Sequence, residues 1–165
     1  MAQNFSVPRN VELSALNYLK TNLAITWNGV TIAKTFSQVY ATNVVAPVVC
    51  CRVSDTASKY LEIGSLTLED RYLLVVDIFA NSEPQRADLA YSVKLLLAQG
   101  WAHYDYSRVS GDTTGTITGV PDGHDTVTDF VSDAPVDLPE TVDARDRYRH
   151  RISVRVRTSS LVPIP

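Results

Sequence analysis

Between positions 147 and 157 arginine falls only on odd numbers, at Arg147, Arg149, Arg151, Arg155 and Arg157, with Ser153 in the gap. The even positions between them hold Tyr148, His150, Ile152, Val154 and Val156. An extended strand sends successive side chains to opposite faces, so this alternation makes one face a row of guanidiniums and the other mostly apolar. Such a strand commits the chain to a sheet with an apolar face that other elements must cover. It also raises the question of what the arginines meet.

Two segments supply the cover. In "VELSALNYLKTNL", residues 11–23, Val11, Ala15, Leu16, Tyr18, Leu19 and Leu23 share one helical face, Glu12, Asn17 and Lys20 point away, and Leu13 is the misfit. Asn10 reads as the N-cap of this helix, with Pro8 just before it. In "NSEPQRADLAYSVKLLLAQG", residues 81–100, Ser82 is placed to cap a helix with Pro84 in its first turn and Gln85 three residues after the cap. Leu89, Ala90, Val93, Leu96 and Leu97 form its apolar stripe, and Gly100 is the expected residue after the C-cap.

The remaining strands follow from apolar runs and turn residues. Tyr72 to Phe79 is a nearly unbroken buried-strand pattern. Residues 44–53, "VVAPVVCCRV", form another, in which Pro47 argues for an edge position or a bulge. Asn28-Gly29 between β-prone runs predicts a hairpin over 24–34. Residues 101–106, "WAHYDY", read as a short strand, and a further candidate lies near 60–66. Residues 111–143 differ: they hold eight acidic residues and no lysine or arginine, and glycine and proline punctuate them. Segments 114–120 and 125–131 around "PDGH" predict a protruding hairpin within a long insertion. The expected fold is therefore α+β: one domain over 1–165, with a mainly antiparallel sheet and two helices packed on one face. Its core spans about 10–106 and 144–158, and 111–143 is inserted.

Composition limits function. A net charge of −3 and a pI near 5.5 argue against whole-surface attraction to nucleic acid, so any such contact has to be local. Cys50 and Cys51 are adjacent and point to opposite faces of a strand; they read as buried, reduced thiols of a protein made in a reducing compartment. "MAQNFSVPRN" has no apolar signal-peptide core, and no run approaches the roughly 20 residues that span a bilayer, so a soluble, non-secreted protein with no membrane contact is expected. His103, His124 and His150 belong to no metal-ligand spacing, and Asp122, His124, Asp125 and Asp129 read as a polar turn rather than a calcium loop. No nucleophile elbow, phosphate loop or dinucleotide fingerprint is present, so no catalytic residue, cofactor or metal is assigned and a non-enzymatic role is expected.

The arginine row supports three readings. Its members pair with carboxylates of neighbouring strands, or they form a subunit or partner interface, or they contact DNA phosphates. The DNA reading is set last because no aromatic residue is seen to share the arginine face. The candidate interface set is Arg147, Arg149, Arg151, Arg155 and Arg157, with Asp122, Asp125, Asp129 and Asp133 of the acidic segment as its complement.

Three stretches together carry a resemblance: "YLEIGSLTLEDRYLLVVDIFANSEPQRADLAYSVKLLL", then "GWAHYDY", then the terminal "DRYRHRISVRVRTS". This succession resembles the tail terminator (tail completion) proteins of tailed bacteriophages, and related head–tail neck proteins share the layout. It covers about residues 10–106 and 146–158. The resemblance implies a small α+β virion subunit that assembles, from the host cytoplasm, into a ring, usually a hexamer, at the top of the tail tube. The ring ends growth of the tail tube protein and meets the head–tail connector or stopper protein, with double-stranded DNA passing through its centre. A head-completion, stopper or other neck adaptor role is the alternative, and a nucleic-acid-binding module using the arginine strand is a more distant one. A closed ring needs two different complementary patches, for which the acidic segment and the arginine strand are the candidates. Charge reversal at Arg149 and Arg151 is then expected to block assembly.

Overall fold

A computed structural model describes residues 7–41, 43–60, 68–106, 119–136 and 147–160. In chain order these form α1 (Val7–Thr26), β1 (Thr31–Ala33), a 3-10 turn (Phe36–Tyr40), β2 (Val48–Tyr60), β3 (Leu68–Phe79), α2 (Glu83–Ala98), β4 (Trp101–His103), β5 (Gly123–Pro135) and β6 (Arg149–Ser160). The six strands make one sheet in the order β1-β2-β3-β6-β5-β4. Every pairing is antiparallel except β1 with β2. Both helices lie against one face, so the α+β layer architecture is the observed one.

The covered face buries Val49 and Cys51 of β2, Tyr72, Leu74, Val76 and Ile78 of β3, and Ile152, Val154 and Val156 of β6. Against them pack Val11, Leu16, Leu19 and Leu23 of α1 and Leu89, Val93 and Leu97 of α2. The period-two and helical stripes read from the sequence therefore meet in one core. At roughly 1.5–3 kcal/mol for each large aliphatic side chain taken out of water, this layer is the main source of stability. The cap of α2 is as expected: the Ser82 hydroxyl accepts from Gln85 N at 3.4 Å. Gly100 follows with φ +70°, and a Cβ there would lie 2.7 Å from the carbonyl oxygen of Asp125, so both conformation and space require glycine.

Four expectations are corrected. Asn10 does not cap α1, which starts at Val7; it is buried, its Oδ1 accepting from Tyr106 N at 3.2 Å and its Nδ2 donating to Asp105 at 3.3 Å. Leu13 is buried rather than a misfit, and Asn17 is buried too, donating to the Tyr106 hydroxyl. The segment after β4 covers a second side of α1, so the buried arc of the helix is wider than one stripe; Ser14 Oγ takes the Tyr104 N–H at 3.1 Å in the same seam. The hairpin over 24–34 does not form. Helical geometry continues through Trp27 N to Leu23 O at 2.7 Å, Gly29 alone takes positive φ there, and β1 runs parallel to β2 instead. A two-residue hairpin turn of the expected type needs positive φ at Asn28 as well.

The fourth correction concerns the acidic segment. Its residues Gly123–Pro135 are β5, a strand of the sheet between β4 and β6, not a protrusion. Val127 and Phe130 pack on the core, which explains why a stretch rich in Asp nevertheless joins the sheet. Residues 111–118 and 137–143 of that segment, and most of the strand candidate near 60–66, lie outside the described residues. Pro47 precedes β2 rather than interrupting it, and the irregularity in β2 falls between Val53 and Asp55.

Candidate interface on the arginine face of the sheet

On the face away from the helices, β6 presents its odd-numbered residues beside those of β3. The register sets Phe79 opposite Arg149, Asp77 opposite Arg151, Val75 opposite Ser153 and Leu73 opposite Arg155. At the first end, Asp77 is 1 % exposed and receives both neighbouring arginines. Arg151 Nε lies 2.9 Å and Arg149 Nε 3.1 Å from its Oδ1, and Arg151 Nη2 lies 3.3 Å from its Oδ2. The Arg149 guanidinium also sits 4.8 Å from the Phe36 ring centre and 5.2 Å from that of Phe79. Arg52, from β2, covers the Phe36 ring at 5.5 Å.

The 3-10 turn makes this end a small second core. Phe36, Tyr40 and Phe79 contact one another with ring centres 5.6–6.2 Å apart, above Ala33, Val39, Val48 and Cys50. Burial, with the nearby Asp77 carboxylate adding to it, pushes the Cys50 thiol up to about 12 against the opposing pull of Arg52 and Arg149. On the helix side, burial and then Glu12 push Cys51 up as well. The two thiols thus occupy opposite faces, as expected, and both are buried and free.

At the other end the pairs are more open. Arg157 Nε lies 2.6 Å and Arg71 Nη2 3.2 Å from the two oxygens of Glu69. Arg155 is exposed and has no ion pair among the described residues, although Asp129 stands opposite it in register. Asp55, Ala57, Arg71, Leu73 and Arg155 line a cavity of about 140 Å³ there. Arg147 is exposed in the turn before β6.

The four predicted aspartates do not gather opposite the arginines; only Asp129 lies on that face. Asp125 is fully buried on the helix side, with Oδ2 3.0 Å from His103 Nδ1 and Oδ1 accepting from Thr158 at 2.5 Å. Asp122 accepts from Asp105 N at 2.8 Å. Asp133 lies 2.7 Å from His150 Nε2 and 2.7 Å from Lys94 Nζ. Burial pushes the Asp133 carboxyl up, but the hydrogen bonds and charges of Lys94 and His150 outweigh it and hold the group below its ordinary range. Within one chain, then, the ion pairs of the arginine row are made with the β3 carboxylates Asp77 and Glu69, while Asp129 of β5 stands opposite Arg155 without an ion pair among the described residues.

Sequence reasoning missed Asp77, Glu69, Arg52, Phe36, Phe79 and Tyr40. A signal for Asp77 was present: a carboxylate in the middle of the buried run Tyr72–Phe79 requires a charged or hydrogen-bonding partner. The statement that no aromatic residue shares the arginine face is also corrected, since Phe79 faces Arg149 across the strands and the 3-10 turn adds Phe36. Among the described residues no group of three or more His, Cys, Asp or Glu is placed to hold a metal ion, and no helix is long and apolar enough to cross a membrane. No protein-family model matches the chain, and no curated protein matches it in sequence.

Proposed function

We propose that the chain is a structural, ring-forming subunit of the head–tail joint of a tailed bacteriophage, in the role of tail terminator. The observation that carries the reading is the state of the two sheet edges. β4 covers β5 only at Gly123–Asp125, and β1 covers β2 only at Val48–Cys50. Among the described residues, 126–135 of β5 and 51–60 of β2 therefore have no strand on their outer side. On β2 the Glu12 carboxylate of α1 takes the Val53 N–H at 3.2 Å, but edges of this length with no neighbouring strand still template pairing with another chain.

The two edges are different surfaces, as a head-to-tail ring interface requires. β5 runs antiparallel to β2, so rotation about an axis along the strands lays β5 of one subunit antiparallel beside β2 of the next. The short strands β1 and β4 guard opposite ends, and strands tilted against the ring axis are staggered from one subunit to the next, so a stagger of about 10 Å, three residues at about 3.3 Å each, clears both while the ring stays closed. The layout resemblance adds the setting: a ring, hexameric by that resemblance, between the tail tube protein and the connector or stopper, in the virion neck.

Light scattering across a concentration series, with negative-stain images of the same samples, tests this. Annular particles of several subunits are expected, alone or on the ends of purified tail tubes. A chain that stays monomeric at every concentration and leaves tube ends bare sinks the reading.

A further inference from the structure

We infer that the first end of the arginine face binds the phosphate backbone of duplex nucleic acid through Arg52 and Arg151, with Arg149 holding the Phe36 ring and the Asp77 carboxylate beneath them. This deepens the neck reading by naming the surface that meets DNA, and rests on it for the choice of polyanion. Three guanidiniums from two strands converge here on one carboxylate, Asp77, and one aromatic ring, Phe36. Asp77 orients Arg149 and Arg151, and Phe36 carries Arg52 and Arg149, so the forks are held before any ligand arrives. Arg52 is exposed and has no ion pair among the described residues, which leaves its N–H groups for a ligand.

The chemistry points to phosphate rather than to bases or to an acidic protein. Base stacking needs an open ring face, but the Phe36 ring carries guanidiniums and Phe79 is buried. The core of a stable protein interface is more apolar than its rim, whereas among the described residues the exposed aromatic side chain at this end is Tyr40, at 37 %. What remains is a set of preorganised planar donors suited to phosphate oxygens. Since the whole chain is acidic, binding has to be local and of short range.

The test matches two charge reversals. Arg52→Glu and Arg155→Glu each replace an exposed arginine that lacks an ion pair among the described residues, so they change net charge equally on one face, but only Arg52 lies over the Phe36 ring. Fluorescence anisotropy with a duplex of about 30 base pairs is read from about 50 mM salt upward, with poly-glutamate as a second probe. The wild type binds the duplex with an affinity that falls steeply with salt. Arg52→Glu weakens it roughly ten-fold at the low-salt end and flattens the log–log slope by about one. Arg155→Glu stays within about two-fold.

No duplex binding by the wild type, or equal losses in both variants, overturns the inference. Tighter binding of poly-glutamate than of duplex, lost in Arg52→Glu, overturns it in favour of an acidic protein partner. Light scattering on the same samples separates this from the ring: rings without duplex affinity sink the inference alone, and duplex-binding monomers that also leave tube ends bare sink the ring alone.

Discussion

The two ends of β6 carry the same alternation of arginines and use it differently. At one end, Arg149 is packed between two aromatic rings with its side chain 11 % exposed, and shares a fully enclosed carboxylate with Arg151. At the other, Glu69 is itself mostly covered, at 11 %, but its partners Arg157 and Arg71 are 53 % and 39 % exposed, while Arg155 finds no carboxylate within ion-pair range among the described residues. The difference is made by a neighbour, the 3-10 turn, which roofs one end of the face and not the other. A desolvated charge cluster is costly to break, because removing one member strands the rest, whereas an open pair is screened and nearly neutral. Equal sequence patterns thus have unequal energies.

The largest expected effect follows from breaking the enclosed end. Asp77→Ala leaves two guanidiniums without their shared carboxylate and is expected to destabilise the fold by roughly 3–5 kcal/mol in urea unfolding. A loss under about 1 kcal/mol would mean that water reaches this end as freely as the other. The same reasoning changes the meaning of reversing Arg149 and Arg151. That double variant sets two more carboxylates against the enclosed Asp77, so lost assembly would report misfolding; single changes at Arg52 or Arg155 avoid this.

An intermediate effect is expected where β6 reaches the helix side through His150. Asp133 is held below its ordinary range, so its contribution is present at neutral pH and is lost as pH falls through the folded value. Asp133→Asn is expected to cost about 1 kcal/mol at pH 7. The gap between wild type and variant should close in melts taken at acid pH, below the ordinary carboxylate range. A gap independent of pH would assign the loss to packing.

The smallest effect belongs to the open end. Glu69→Gln removes the partner of Arg157 and Arg71 and is expected to cost under about 1 kcal/mol, with the difference fading in high salt. A cost equal to that of Asp77→Ala would erase the contrast between the two ends.

Much of the fold was legible because local periodicity is set by backbone geometry. The stripes of α1 and α2, the Ser82 cap, Gly100, and the runs that became β3 and β6 each carry their own period or stop signal. The Asn28-Gly29 turn misled because its signal is local and the preceding helix was extended by packing. The acidic segment misled because composition was weighed above its Thr/Val/Phe alternation, while Asp125 and Asp133 found donors on distant elements.

The amino-acid sequence by itself determined that this protein has a two-faced arginine strand, two amphipathic helices to cover its apolar side, and thiols on opposite faces, since each follows from side-chain alternation along one segment. Only the tertiary structure decided which carboxylates the arginines meet, which aromatics lie among them, and which sheet edges stay open. Those depend on strand order and register, and hydrogen bonds between backbones can satisfy many orders equally until side chains far apart in the chain are packed together.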